Sequence, residues 1–364
     1  MSRLRIAIVG AGSMGRTHLS VVQRSPSCIV SALVDPSPAA AAVALRAGVP
    51  LYATLDQLIE HDRPDGVIVA TPNILHADQA LWCIGRGVPA LIEKPLAATV
   101  PDALAIVDAV HRTGAKVLVG HHRAHSPIMA HARQLIADGR LGPLVAVMGS
   151  AMFYKPDQYF ADGPWRTGPG AGPVLLNMIH EVHNLRMLCG DIVAVQALGS
   201  RRTRGFPVED TVAITLRFAS GALGTFLLSD TAASARSWEQ TSRENPIYAH
   251  ADDEDCYVIA GTFGSLAIPT LRLRTWSTAS DRSWCTPFDL AQGERTREDP
   301  LARQLAHFAD VIRGDVTPLV SAHDGLRNVR VTQAILDAIR TGATIAIPPH
   351  GSHFTEPTPL KSPP

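Results

Sequence analysis

The stretch Gly10-Ala11-Gly12-Ser13-Met14-Gly15 constrains this chain more than any other. It follows the apolar run 4–10 and opens a segment with helical spacing, so it stands at a strand-to-helix turn. GxGxxG in that setting predicts a dinucleotide site. Gly10 permits the tight turn, Gly12 lets a pyrophosphate approach the backbone, and Gly15 allows helix and strand to pack. The helix N-terminus, including Ser13 and Met14, then offers unpaired N–H groups and a positive dipole end to phosphate. Asp35 closes the next apolar run, 20 residues beyond Gly15, at the spacing of a carboxylate that accepts the ribose hydroxyls. It would repel a 2′-phosphate, and Pro36 and Ser37 follow it rather than an arginine. The pattern therefore favours NAD over NADP.

The rest of the chain supplies two textures. Apolar runs at 4–10, 28–35, 65–71, 89–95 and 116–120 alternate with helical segments such as 74–86 and 100–113. This predicts an α/β fold with a parallel sheet covered on both faces, a Rossmann domain over 1–121. Beyond it, 142–154, 210–230 (two strands around Ser220-Gly221) and 256–276 read as long strands. Helices are expected at 126–138, 174–189, 300–313 and 324–340. The second domain, 122–347, is thus expected to be α+β, built on an open, mostly antiparallel sheet. The polar stretch 231–255 is expected to be a lid or a binding loop, with Trp238, Glu239 and Tyr248 placed to close over the pocket of this or a neighbouring subunit. The Pro-rich tail 348–364 is expected to be disordered.

Composition excludes other classes. The formal net charge is zero, which argues against nucleic acid as a partner, and no run is apolar enough for a membrane span or a leader. Five dispersed cysteines without a CxxC pair suggest reduced thiols and a cytoplasmic setting. His180 and His183 share a helix face, and His121, His122 or His125 could supply a third ligand, but no carboxylate or cysteine joins them by spacing, so no metal is expected. As a pair they read either as packing residues or as a proton relay.

Glu93-Lys94-Pro95 ends one of the apolar runs of the Rossmann segment. Ligands of open α/β sheets sit beyond the carboxyl ends of the strands, so Lys94 falls on the cofactor side. Pro95 holds Lys94 extended. A neighbouring cationic nicotinamide and partial burial would both lower its pKa toward a range useful for proton transfer.

With these motifs the sequence resembles the glucose–fructose oxidoreductase, inositol dehydrogenase and MocA-type oxidoreductases. The likeness runs from Leu4 to about Pro348 through AIVGAGSMGRTH (7–18), ATPNILHADQA (70–80), IEKPLA (92–97), WRTGPGAGPVLLNMIHEVHNLRMLCGD (165–191), GTFGSLAIP (261–269) and DGLRNVRVTQAI (324–335). The resemblance implies hydride transfer between nicotinamide and a carbinol carbon of a sugar or cyclitol. It also implies homo-oligomerisation, as a dimer or tetramer, through the C-terminal sheet. By it, Lys94 matches the active-site lysine, in some members before a cis Pro95, and His180 the histidine of the helix after the Gly-rich turn. Thr71, Pro72, Asn73 and His76 match the loop lining the cofactor, and Glu93 lies near the nicotinamide ribose. His122 and Arg123 match the segment leaving the Rossmann domain, and Trp165 and Arg166 a pair bordering the pocket.

The sequence departs from the commonest pattern of that family in one helix. Leu176 and His183 stand where many members carry aspartates around the histidine, so His180 lacks the acids that would raise its pKa and set its tautomer. Asn177 is then expected to hold a substrate hydroxyl, with Tyr154 and His183 on the pocket wall. Arg123, Arg166, Lys155 and His183 form either a cationic rim suited to a sugar acid or carboxylated cyclic diol, or scattered surface charges. Two rival functions share these residues: a lyase or glycosidase with retained NAD, and a non-catalytic NAD-binding regulator.

Overall fold

The computed structural model describes residues 2–348. It divides into two compact units: residues up to His125 with Asp299–Val329, and Ser126–Glu298 with residues from Arg330 onward. The tail expected to be disordered lies, apart from Pro348, outside the described residues.

The first unit is built on six strands: β1 (Leu4–Val9), β2 (Cys28–Val34), β3 (Leu51–Tyr52), β4 (Gly66–Val69), β5 (Ala90–Glu93) and β6 (Val117–Gly120). They are parallel, in the order β3-β2-β1-β4-β5-β6, which is the Rossmann arrangement. Every residue of β4, β5 and β6 is buried, as expected of strands covered on both faces. Sequence patterning missed β3, because two residues are too few to show a period.

The helix Pro300–Arg313 belongs to this unit, although the sequence placed 299–329 in the second domain. Its buried face carries Leu305, Phe308 and Val311. A Cβ on Gly66 would come within 2.6 Å of Ile312, so β4 leaves room for this helix by carrying glycine. Lys116 Nζ donates to the Ile312 carbonyl at 2.8 Å, tying the helix to the start of β6. The amphipathic stripe was legible, but nothing in a stripe says which sheet it will cover.

The second unit holds a nine-stranded sheet. Its strands are β7 (Leu144–Met152), β8 (Ile192–Ser200), β9 (Thr211–Phe218), β10 (Leu223–Ser229), β11 (Tyr257–Gly261), β12 (Gly264–Ile268), β13 (Arg272–Thr275), β14 (Asp289–Gln292) and β15 (Ile345–Ala346). The order is β14-β13-β12-β11-β7-β10-β9-β8-β15, antiparallel except between β7 and β10. The sequence reading found β7 and β9 to β13 and missed β8, β14 and β15. Alternation is plain in β9, where Val212, Ile214, Leu216 and Phe218 are buried and the residues between them are not. This inner face packs with Met178, Val182, Leu185 and Ile335 in one core. The other face is open and exposes Met148, Leu198, Leu223 and Leu227.

In the stretch 231–255, Trp238 is not the pocket-closing residue expected of it. Trp238 opens a four-residue helix, Trp238–Thr241, and is buried in the core, stacked on Tyr257 with ring centroids 6.0 Å apart. Its indole N–H donates to Glu244 at 2.9 Å. An apolar anchor and a satisfied N–H fix the segment from inside.

Candidate active site

The glycine-rich turn shows three separate constraints. Gly10 sits at φ +95, and a Cβ there would meet the Ala70 carbonyl oxygen at 2.7 Å. A Cβ on Gly15 would stand 1.8 Å from the Gly10 carbonyl oxygen. Both glycines are therefore demanded by the fold itself. A Cβ on Gly12 would meet nothing within 4 Å. The protein does not need glycine there, but a ligand lying on the backbone would. Gly12 is also the N-cap of the helix Ser13–Arg24, which has no side-chain cap and no acid in its first turn. Its leading N–H groups remain available to an anion. Open space and open donors coincide, so this turn fits a pyrophosphate.

Asp35 follows the end of β2 beside this turn. Its carboxylate accepts from the Ala11 N–H at 2.7 Å and the Ser37 N–H at 2.8 Å. Partial burial pushes its pKa up, but the bonds from the Ser37 side chain and from both N–H groups outweigh it, and the net shift is downward. Asp35 is thus a fixed anion, able to accept hydroxyl protons of a ribose and unsuited to a phosphate.

Sheet order places the ends of β1, β4, β5 and β6 side by side. Thr71–Asn73, Lys94 and His122 therefore line one edge with the glycine turn, at the switch in strand order. Thr71 Oγ1 donates to Gln79 at 2.6 Å. His76 is fully buried, with Nδ1 2.7 Å from the Pro95 carbonyl and Nε2 3.0 Å from that of Thr71. Burial lowers its pKa against the pull of those carbonyls. His76 ties the 71–76 loop to the lysine's neighbour from behind, rather than facing a ligand. Lys94 is half-buried and precedes Pro95 across a cis bond.

Glu93 is buried, and its partner is one the sequence reading did not single out. His18 Nε2 lies 2.8 Å from Glu93 Oε1, and both side chains are nearly inaccessible. The Lys94 N–H donates to Glu93 Oε2 at 3.1 Å. Burial alone would raise the carboxyl's pKa, but His18, Lys94 and His122 hold it below the usual range. His18 ends the motif 7–18, and that motif was its only signal. Arg123, expected beside the nicotinamide, is buried in this unit.

In the second unit, a five-residue π-helical turn, Val174–Met178, leads into the α-helix Ile179–Cys189. Such turns interrupt regular hydrogen bonding and recur at functional sites. Glu209 Oε1 accepts from the Val174 N–H at 3.0 Å, capping this start. Burial raises the Glu209 pKa, with Asp230 and Asp210 adding to the rise. His180 and His183 are both buried. Glu181, between them, turns to the core, where it accepts from the Tyr257 hydroxyl, itself 3.0 Å from Asn184 Nδ2. It does not replace the missing aspartates, because neighbouring helical residues point about 100° apart.

Asn177 lies in the π turn, and its Oδ1 accepts from Lys155 Nζ at 2.7 Å. Lys155 also pairs with Asp230 at 3.6 Å, and Asp230 is shared with Arg204 at 3.0 Å. Arg166 lies 4.0 Å over the Tyr159 ring. Asp230 thus serves two cations of this unit, Lys155 and Arg204, while Arg123 lies in the first unit. Tyr154 and Trp165 are 58% and 60% exposed. Among the described residues no group of three or more His, Cys, Asp or Glu side chains could hold a metal ion, and no helix is long and apolar enough to cross a membrane.

Comparison with known proteins identifies the family of both units. Residues 4–121 match the model of the oxidoreductase family with an NAD-binding Rossmann fold, and residues 129–267 match the GFO/IDH/MocA C-terminal domain. The chain is 27% identical to scyllo-inositol 2-dehydrogenase (NAD(+)) of Bacillus subtilis over 355 residues, 95% of this chain and 96% of that protein. It is 32% identical to the rhizopine catabolism protein MocA of Rhizobium meliloti over 191 residues, 52% of this chain and 58% of MocA. Among solved structures, aldose-aldose oxidoreductase from Caulobacter crescentus, complexed with glycerol, superposes with a TM-score of 0.75 at 26% identity, covering 94% of this chain and 99% of that one.

Proposed function

The chain belongs to the Gfo/Idh/MocA family of NAD(P)-binding oxidoreductases, and on that premise we propose that it is an NAD-dependent dehydrogenase of neutral polyols, with cyclitols and sugars as the substrate class. The observation that carries the cofactor half is the fixed Asp35 carboxylate beside the open Gly12 turn. An anion bound by two N–H groups selects hydroxyls over a 2′-phosphate, which favours NAD. Gly12, Ser13, Met14, Asp35 and the 71–73 loop would hold it.

NAD, when bound, supplies a two-electron hydride acceptor. The chain supplies the handling of the proton. Lys94, fixed at the carboxyl end of β5, takes the proton of the substrate hydroxyl, and His180 is the second unit's candidate for orienting substrate or relaying a proton. Within the second unit, Asn177 and Lys155 are the polar groups proposed to contact substrate hydroxyls. The name of the relative scyllo-inositol 2-dehydrogenase (NAD(+)) supports a cyclitol as substrate. The exposed apolar face of the nine-stranded sheet, with Met148 at 54% and Leu198 at 74%, supports self-association through that face.

The test is NADH absorbance across cyclitols, neutral sugars, sugar acids and carboxylated cyclic diols, with NAD and NADP in parallel. Turnover on neutral polyols with NAD is expected. Turnover confined to carboxylated substrates would refute the substrate class. Product formation without net NADH, on cofactor that co-purifies, would favour the lyase reading.

A further inference from the structure

His18 lies on the helix whose N-terminus forms the dinucleotide turn, and Glu93 is the last residue of β5, directly before Lys94. A buried carboxylate is costly unless donors satisfy it. Here each oxygen has a named partner: Oε1 meets His18 Nε2 at 2.8 Å, and Oε2 accepts from the Lys94 main-chain N–H at 3.1 Å. The strand beneath leaves room for the arrangement. A Cβ on Gly120 of β6 would meet the Glu93 carboxyl carbon and Oε1 at 3.1 Å. Glu93 is therefore held from three sides: by His18 on the cofactor helix, by the Lys94 backbone, and by a glycine on the neighbouring strand.

We propose that His18 is a positioning residue for Lys94. It holds the Glu93 carboxylate against the lysine's main chain and so sets both the placement and the proton affinity of its amine. The inference rests on the reading of Lys94 as the proton-handling group. A carboxylate adjacent in sequence favours the ammonium form. Its hold on that form depends on how much of its charge is already spent on other donors. His18 spends part of it, and so keeps Glu93 from stabilising the ammonium more strongly. The other titratable groups near Glu93 and Lys94 are His122, beyond β6, and His76, behind Pro95. The downward shift of the Glu93 pKa agrees with a carboxylate that stays ionised wherever the lysine titrates.

Opposite signs follow for the two partners. Removing the charge in Glu93→Gln should lower the midpoint of Lys94 by about one pH unit. Removing the donor in His18→Phe should raise it, because the released carboxylate turns toward the ammonium. In the double variant His18 has nothing to act through, so the midpoint should match that of Glu93→Gln alone.

The chain has only four lysines, Lys94, Lys116, Lys155 and Lys361, which makes the measurement direct. Trace acetylation of the full chain with acetic anhydride across pH 6 to 11, read by peptide mass spectrometry, gives the midpoint of each lysine without a substrate. Lys116 and Lys155 serve as internal controls for folding. His18→Gln keeps a donor and should return Lys94 to its wild-type midpoint, which also carries the test if His18→Phe does not fold. Shifts of the same sign in Glu93→Gln and His18→Phe, additive shifts in the double variant, or a displaced midpoint in His18→Gln would each overturn the proposal. Failure of Lys94 to matter in turnover would instead sink the functional reading and leave the labelling result standing.

Discussion

Glu93 in the first unit and Glu209 in the second are both carboxylates drawn out of water, yet burial prevails at only one of them. Glu93 has a histidine and an N–H on separate oxygens, and its pKa falls. Glu209 has the Val174 N–H and sits near Asp210 and Asp230, and its pKa rises. The first unit surrounds its anions with donors and fixes them, as a site for an invariant cofactor requires. The second crowds acids together around Lys155 and Arg204, a network that, on the proposed function, would be the tunable part of substrate binding.

The largest expected difference lies in turnover. Lys94→Ala should reduce kcat on the best polyol by about 10²–10⁴-fold while NAD binding by fluorescence titration is kept. His180→Ala should cost about tenfold or less, because its helix lacks the flanking aspartates. Equal losses in the two variants would erase the contrast between fixed and tunable sites.

Next in size is a contrast inside the glycine turn. Gly12→Val should weaken NAD binding by roughly 10–100-fold with little change in Tm, since its Cβ meets no protein atom within 4 Å. Gly15→Ala should lower Tm by several degrees, since its Cβ would stand 1.8 Å from the Gly10 carbonyl oxygen. A lower Tm for Gly12→Val would mean that the turn is constrained by packing rather than by ligand. Asp35→Ser should narrow the NAD over NADP preference, measured as a ratio of kcat/KM, by about tenfold. An unchanged ratio would take selectivity away from this carboxylate.

The smallest effect concerns stability and pH. Glu93, with its lowered pKa, contributes stability that is present above the unfolded value of about 4.5 and lost as pH falls through its lower folded value. Glu209, with its raised pKa, contributes stability that is present below about 4.5 and lost as pH rises through its higher folded value. Glu209→Gln keeps an acceptor for Val174 and should therefore raise Tm at pH 7 by roughly 1–2 °C, with the gain vanishing in acid. A gain that persists at low pH would show that charge is not its cause.

The first unit was the more legible because its signals are local. GxGxxG, Asp35 and Glu93-Lys94-Pro95 each lie within a few residues of a strand end, and the family likeness runs through them. What escaped was long-range. His18 meets Glu93 across 75 positions, and no spacing rule joins them. Trp238 looked like a lid residue because its neighbours are polar, while its stacking partner Tyr257 lies on a distant strand. The carboxylate that pairs with Lys155 is Asp230, also remote in sequence. The helix Pro300–Arg313 showed its stripe but not its unit. Short edge strands such as β3, β14 and β15 carry too few residues for a pattern.

The most direct test of the central claim is the pH dependence of kcat/KM for polyol oxidation by the wild type and by Lys94→Ala. If Lys94 accepts the hydroxyl proton, the wild type should gain activity as pH rises through the lysine's midpoint, and the residual rate of the variant should lack that limb. The same limb surviving in Lys94→Ala would mean that another group takes the proton, and the account would be wrong.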